Sequence, residues 1–273
     1  MPWMNLSKMI DNELGFIIPN WPAPKSVQAL VSTRVSLNKI TSSTNAPKGY
    51  EHFNLALHVN DDPKQVLANR AQLAKHLKIP LSNIAWLDQV HGTEVVSAEK
   101  STNAAFKADA STSSTAHHAC AIMTADCLPV LFCNIPDAGE TQQVAAAHAG
   151  WRSLADGILT KTLATFDQPE TVIVWLGPAI SQAHFEVGQE VYERFISKNS
   201  ANNKAFIPSK NSSTDYPKWL ASLTELAKIE LVESGIKAVY DSNLCTYAQS
   251  ELFYSYRRDG AQSGRMVSLI MIS

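Results

Sequence analysis

The stretch from Ala119 to Arg152, ACAIMTADCLPVLFCNIPDAGETQQVAAAHAGWR, constrains this chain more than any other. It is built of apolar, strand-like runs broken at a few polar positions. Asp126 and Cys127 interrupt a run that begins with Ala121, Ile122 and Met123 and resumes with Leu128, Val130, Leu131 and Phe132. A carboxylate and a thiol therefore stand where packing favours hydrocarbon. His148 ends the run QQVAAAH, and Ala149 and Gly150 after it let the backbone turn sharply before a helix. Short apolar strands that end in a functional side chain and then turn place chemistry at one edge of a sheet.

The remaining chain supplies the scaffold. ALVST at 29–33 reads as a strand, with Arg34 at its junction with LNKITSSTNAPKGYEHF, a long polar loop. Asp62 and Pro63 open a helix, with Gln65 three residues past the cap and an apolar face of Val66, Leu67, Leu73, Ala74 and Leu77. IAWLDQV at 84–90 predicts a strand that His91-Gly92 breaks in a hairpin-like turn before EVVS resumes. Residues 101–118, rich in Ala, Ser, Thr and His, read as loop or edge, and the adjacent His117 and His118 point to opposite faces of any strand.

Leu154, Ile158, Leu159, Leu163 and Phe166 fit one helical stripe, and TVIVWLG at 171–177 fits a buried strand. Val187, Val191 and Phe195 suggest a further helix, and 197–213 a polar loop. Leu220, Leu223, Ala227 and Leu231 mark a helix that Gly235 ends. AVY from Ala238 and MVSLIMI from Met266 close the chain as strands, and between them Arg257 and Arg258 precede an Asp-Gly turn. No repeat or Pro/Gly-rich linker divides the sequence, so one domain over 1–273 is expected.

Composition excludes several classes. A net charge of -2 without like-charged blocks gives no footprint for nucleic acid. No basic leader with a cleavage site and no run of ~18 apolar residues is evident, so a soluble, cytoplasmic protein is expected, without membrane contact. Four cysteines without CxxC spacing suit unpaired thiols in a reducing compartment.

His91, Cys127 and His148 each end an apolar run at a turn. Imidazole and thiolate are preferred zinc ligands, and three of them leave a fourth position for water. The same residues also suit a cysteine nucleophile activated by histidine, or ordinary buried packing, and spacing alone does not choose among these. A PCxxC nucleobase-deaminase motif, GxxxxGK and GxGxxG are all missing. Eight histidines without an HxH pair argue against a multicopper centre.

Five ordered blocks carry a resemblance: WLDQVHGTEV, AIMTADCLPVLF, VAAAHAGWRSLADGIL, WLGPAISQAHFEVGQEV and CTYAQSELFYSYRRDGAQSGRMVSLI. In these the chain resembles the YfiH-like proteins, also described as the laccase-domain or polyphenol-oxidase family. The resemblance implies an α+β (mixed α/β) fold of packed sheets flanked by helices, layered α/β/β/α and similar to a deamidating toxin with a cysteine nucleophile. It implies a zinc site of His91, Cys127 and His148, with copper as the alternative. The implied activity is phosphorolysis of adenosine, inosine and methylthioadenosine, together with adenosine deamination; the expected partners are a small-molecule nucleoside and phosphate, and a monomer or homodimer is expected.

Peptidoglycan-precursor editing, a cysteine hydrolase built on Cys127, and laccase-like phenol oxidation are the alternatives. Phosphorolysis requires a cation for phosphate, and Arg34, Arg152, Arg257 and Arg258 are candidates. Asp126 is a candidate for orienting a ligand. Two departures stand out from the family pattern: the segment after STR lacks the usual Gly-Gly-Val-Ser turn, and Ser222 stands where Asp is usual.

Overall fold

Alternation of side chains along doubly covered strands sorts the apolar runs into three cores. The computed structural model describes residue 11 and residues 14–37, 49–100, 105–135 and 142–273. Most of the long polar segment after Arg34 and the N-terminal stretch lie outside the described residues. One sheet has the order β1 (Val27–Val31), β15 (Met266–Ile272), β7 (Ala119–Thr124) and β2 (Ile84–Ala85). A second runs β14 (Ala238–Asp241), β10 (Val172–Leu176), β8 (Leu128–Asn134), β9 (Val144–Ala149), β6 (Ala110–Ser113) and β4 (Val95–Ser97). A small sheet of β11 (Glu186–Gly188), β13 (Lys218–Ala221) and β12 (Phe206–Pro208), and the pair β3 (Leu87–Asp88) and β5 (Phe106–Lys107), complete the strands.

Between the two large sheets, Cys120 and Ile122 of β7 meet Leu131 and Cys133 of β8 and Trp175 of β10. The other face of β7, through Ala119, Ala121 and Met123, packs on Leu73 and Leu77 of α1 (Pro63–Leu77). The other face of β8, through Leu128, Val130 and Phe132, packs under α2 (Trp151–Ala155), α3 (Ile158–Leu163), α4 (Gln189–Ile196) and α5 (Leu223–Glu233). The layering is helix, sheet, sheet, helix. Among the described residues no helix is long and apolar enough to cross a membrane.

Most strands and helices fall where the apolar patterns place them, and the exceptions have physical reasons. α1 starts under Asp62, which accepts from the Lys64 N–H, but Gln65 donates to Asn69 rather than closing a capping box. Leu67 is 47% exposed while Asn69 and Arg70 are buried, because those two bond the carbonyls of the preceding loop. The turn at His91 is not a hairpin: β3 and β4 pair in parallel with β5 and β6, which occupy the stretch read as loop or edge. Gly157, at φ +85°, splits the single predicted helix into α2 and α3. Val187 and Leu220 belong to strands, and residues 206–208 form β12 within the polar loop.

Candidate metal centre

The register Leu128 with Ala149 and Pro129 with His148 brings the start of β8 and the end of β9 to one sheet edge. Cys127, just before β8, and His148 are thereby neighbours. His91 stands in the turn after β3 with φ +58°, a left-handed conformation, and its exposed ring faces Cys127 and His148. One donor atom from each of His91, Cys127 and His148 lies within 4.8 Å of the others. The His91 Nε2 to Cys127 Sγ distance is 3.8 Å, and the imidazoles stand edge to face at 4.7 Å between centroids.

One buried carboxylate organises both histidines. Asp109 Oδ1 accepts from His148 Nδ1 at 2.8 Å and from the His91 N–H at 2.9 Å, and Oδ2 accepts from the Val90 and Gly92 N–H groups at 3.2 and 2.6 Å. With Nδ1 donating, His148 keeps Nε2 for the cluster. Burial raises the Asp109 carboxyl, but the His148 bond and charge and the turn N–H groups hold it below its ordinary value.

Burial likewise pushes the Cys127 thiol up, yet the charge and hydrogen bonds of His148 and then His91 outweigh it and hold the thiol well below its usual range. For His148, burial lowers and the Cys127 thiolate and Asp109 raise, with a net rise. Gly150 is an opening rather than a flexible joint. A Cβ there would lie 2.6 Å from His91 Cδ2 and 3.3 Å from Cys127 Sγ, so only glycine lets α2 begin against the donors.

The donor set fits zinc. Two imidazoles and a thiolate, one imidazole braced by a carboxylate, would hold such an ion at the wall of a cleft of about 530 Å³. Trp151, Ile180, Phe185 and Tyr256 form apolar walls of that cleft, and Arg152, Arg257 and Arg265 bring cations to it.

A family model described as multi-copper polyphenol oxidoreductase laccase matches residues 39–273. The chain belongs to this laccase-domain family. Purine nucleoside phosphorylase YfiH of Escherichia coli K12 is 43% identical over 257 residues, covering 94% of this chain and 98% of the relative. Purine nucleoside phosphorylase PA4543 of Pseudomonas aeruginosa is 43% identical over 259 residues, with the same coverage of 94% and 98%. Among solved structures, Neisseria meningitidis protein NMB0706 superposes with a TM-score of 0.83 at 41% identity, over 94% of this chain and 99% of that one. Bacillus licheniformis YfiH gives 0.81 at 26% identity, over 94% and 96% of the two chains.

In this laccase-domain chain the remaining sequence candidates divide. Arg152 and Arg257 line the cleft. Arg34 does not: it bonds the Ser250 carbonyl, pairs with Glu51 and sits over the Tyr254 ring. Arg258 is absorbed by the carbonyls of Thr246, Tyr247 and Phe253 and by Asp259. Asp126 also corrects the expectation. At φ +95° it lies in a turn, and its carboxylate accepts from Thr246, Ser255 and the Arg257 N–H, clamping the C-terminal segment onto the cleft instead of orienting a ligand.

Asp109, Arg265 and His58 carry no mark in the apolar pattern. The signal for Asp109 is a lone carboxylate among small residues in KADAS. Ser222 takes over the work of the expected Asp, since its hydroxyl accepts from the Glu225 N–H at the start of α5.

Proposed function

We propose that this chain is a zinc-dependent purine nucleoside enzyme that phosphorolyses adenosine, inosine and methylthioadenosine and deaminates adenosine. The observation that carries the reading is the His91, Cys127, His148 triangle opening onto a cleft walled by aromatic side chains and arginines. Relatives named purine nucleoside phosphorylase support it.

His91, Cys127 and His148 hold the ion, and Asp109 fixes the proton on His148 Nδ1 so that the other nitrogen stays a ligand. When bound, zinc supplies Lewis acidity that brings the pKa of a water toward ~7 for attack on the amino-bearing purine carbon. Trp151, Phe185 and Tyr256 offer faces for the purine. Arg152, Arg257 and Arg265 balance and orient the phosphate. Arg257 is suited to this because its Nη1 is already fixed by the carbonyls of His184 and Glu186. The four free cysteines support a reducing, cytoplasmic setting.

The test is to incubate pure, zinc-loaded protein with adenosine and with inosine, with and without phosphate, and to resolve adenine, hypoxanthine and inosine by chromatography. No turnover of either nucleoside refutes the reading.

One observation favours a second reading. Asp109, His148 and Cys127 are placed as carboxylate, imidazole and thiolate, the order a cysteine hydrolase uses. Such an enzyme keeps its activity under chelation, whereas the zinc enzyme loses it and regains it with added metal.

A further inference from the structure

We propose that His58 is a catalytic residue of this cleft, relaying the proton that the departing purine takes up. The inference rests on the phosphorolysis reading above and names the group that reading lacks.

The loop carrying His58 is irregular backbone, yet it is held by a buried polar network. Asn54 Nδ2 donates to Asp61 at 2.8 Å, and Asn54 Oδ1 accepts from the Ala56 and Arg265 N–H groups at 3.1 and 2.9 Å. Asn69 of α1 donates to the Asn54 carbonyl at 2.9 Å, and Arg70 Nε donates to the Leu55 carbonyl at 2.8 Å. Asn54 and Asn69 are fully buried, and Arg70 and Asp61 nearly so. Burying this many polar groups is tolerable only with every bond made, and the outcome is a loop with one defined shape.

At its apex stand the exposed residues Leu57 and His58. His58 lines the metal cleft and also a neighbouring cleft of about 550 Å³, so its ring stands on the wall between them. Its ring has no hydrogen-bond partner among the described residues. A rigidly delivered imidazole with both nitrogens unused, in the same cleft as the donors and arginines, is equipped for proton transfer.

The charged groups around it keep it in the form the step needs. Partial burial, then the charges of Arg265 and Arg70, draw the imidazole below its ordinary value, against a smaller opposing pull from Asp88. At neutral pH the ring therefore has one N–H and one bare nitrogen. In phosphorolysis a phosphate oxygen bonds to C1′ while the C1′–N9 bond breaks and its electron pair leaves with the purine. The His58 N–H proton passes to the purine ring, and the other imidazole nitrogen recovers a proton from monohydrogen phosphate. Neutral purine, ribose 1-phosphate dianion and neutral imidazole result, so charge and protons balance.

A substrate whose base leaves without needing a proton isolates this step. Inosine needs one, and 7-methylinosine, whose base is already cationic, does not. The measurement is kcat/KM for both substrates in zinc-loaded wild type and His58→Gln, with zinc content and Tm as controls. The expected result is a fall of ~10²-fold or more in the inosine to 7-methylinosine ratio, in the range general acid–base catalysis contributes. An unchanged ratio, whether both substrates slow equally or neither slows, overturns the assignment of His58 alone. Failure of wild type to convert either substrate overturns the phosphorolysis reading and this one with it.

Discussion

Replacing Asp109 with Asn separates the structural from the metal-holding work of one carboxylate. The side chain is fully buried, and its two oxygens accept from four donors: His148 Nδ1 and the N–H groups of Val90, His91 and Gly92. An amide offers one oxygen. If that oxygen stays with the two histidines, the NH₂ group faces the Val90 and Gly92 N–H groups, which lose their acceptor. Each buried donor left unpaired costs about 1–3 kcal/mol, so the variant should lose roughly 2–6 kcal/mol. That is a large share of ordinary stability but leaves a folded protein. At ~2–4 °C per kcal/mol for large domains, the drop in Tm is measurable without ambiguity.

Loss of the carboxylate also makes His148 a weaker ligand and frees the turn bearing His91, so zinc affinity should fall by about 10–100-fold. Competition against a chromophoric chelator reads that affinity, and thermal unfolding of the metal-free protein reads the fold. Asp109→Asn protein that melts earlier yet binds zinc as tightly as wild type would refute the argument, because the carboxylate would then brace the turn without bracing the site.

Gly150→Ala places a methyl against His91 and Cys127 and should weaken zinc binding at least ~10-fold while costing helix α2 only the ~1 kcal/mol of a poorer cap; equal affinity counts against the close-approach reading. Glu99 tests the pH dependence of stability. Burial raises its carboxyl, but bonds from Ser97, its own backbone, Ser113 and Ser114 bring it down to about 2. Its stabilisation is therefore complete above the unfolded value near 4.5 and is lost as pH falls toward about 2. The Tm gap between wild type and Glu99→Gln should be widest at neutral pH and close in acid, and a gap independent of pH contradicts this. Ser222→Ala should cost about 1 kcal/mol and Ser222→Asp close to none, by denaturant unfolding, if the hydroxyl serves only as a cap.

The sheet core was legible because β7, β8, β9, β10 and β15 are buried along their whole length, which leaves near-continuous apolar runs. β6 was not, since its ASTS reads as loop or edge although the strand lies inside the sheet with three of its four residues buried. Small polar residues fit beneath a crossing sheet without leaving a hydrophobic mark. The partners of β3 and β4 were hidden for another reason: parallel pairing is decided by distant segments, while the His91 turn is local.

At the site, the three donors were visible because each ends an apolar run. The arginines were not separable, because what distinguishes Arg258 from Arg257 is which carbonyls lie within reach once the chain is folded. Adjacency misled for Asp126, whose left-handed turn sends the carboxylate to residues more than a hundred positions away.

Thr124 ends a strand of one large sheet and Leu128 begins a strand of the other, so the backbone changes layers within the turn that bears Cys127. Sliding one layer over its neighbour would pull this link and the sulfur with it, while His148 stays fastened to the six-stranded side. Substitutions at Ile122 or Leu131, deep in the seam and outside the donor set, would therefore register first as a changed grip on the cation.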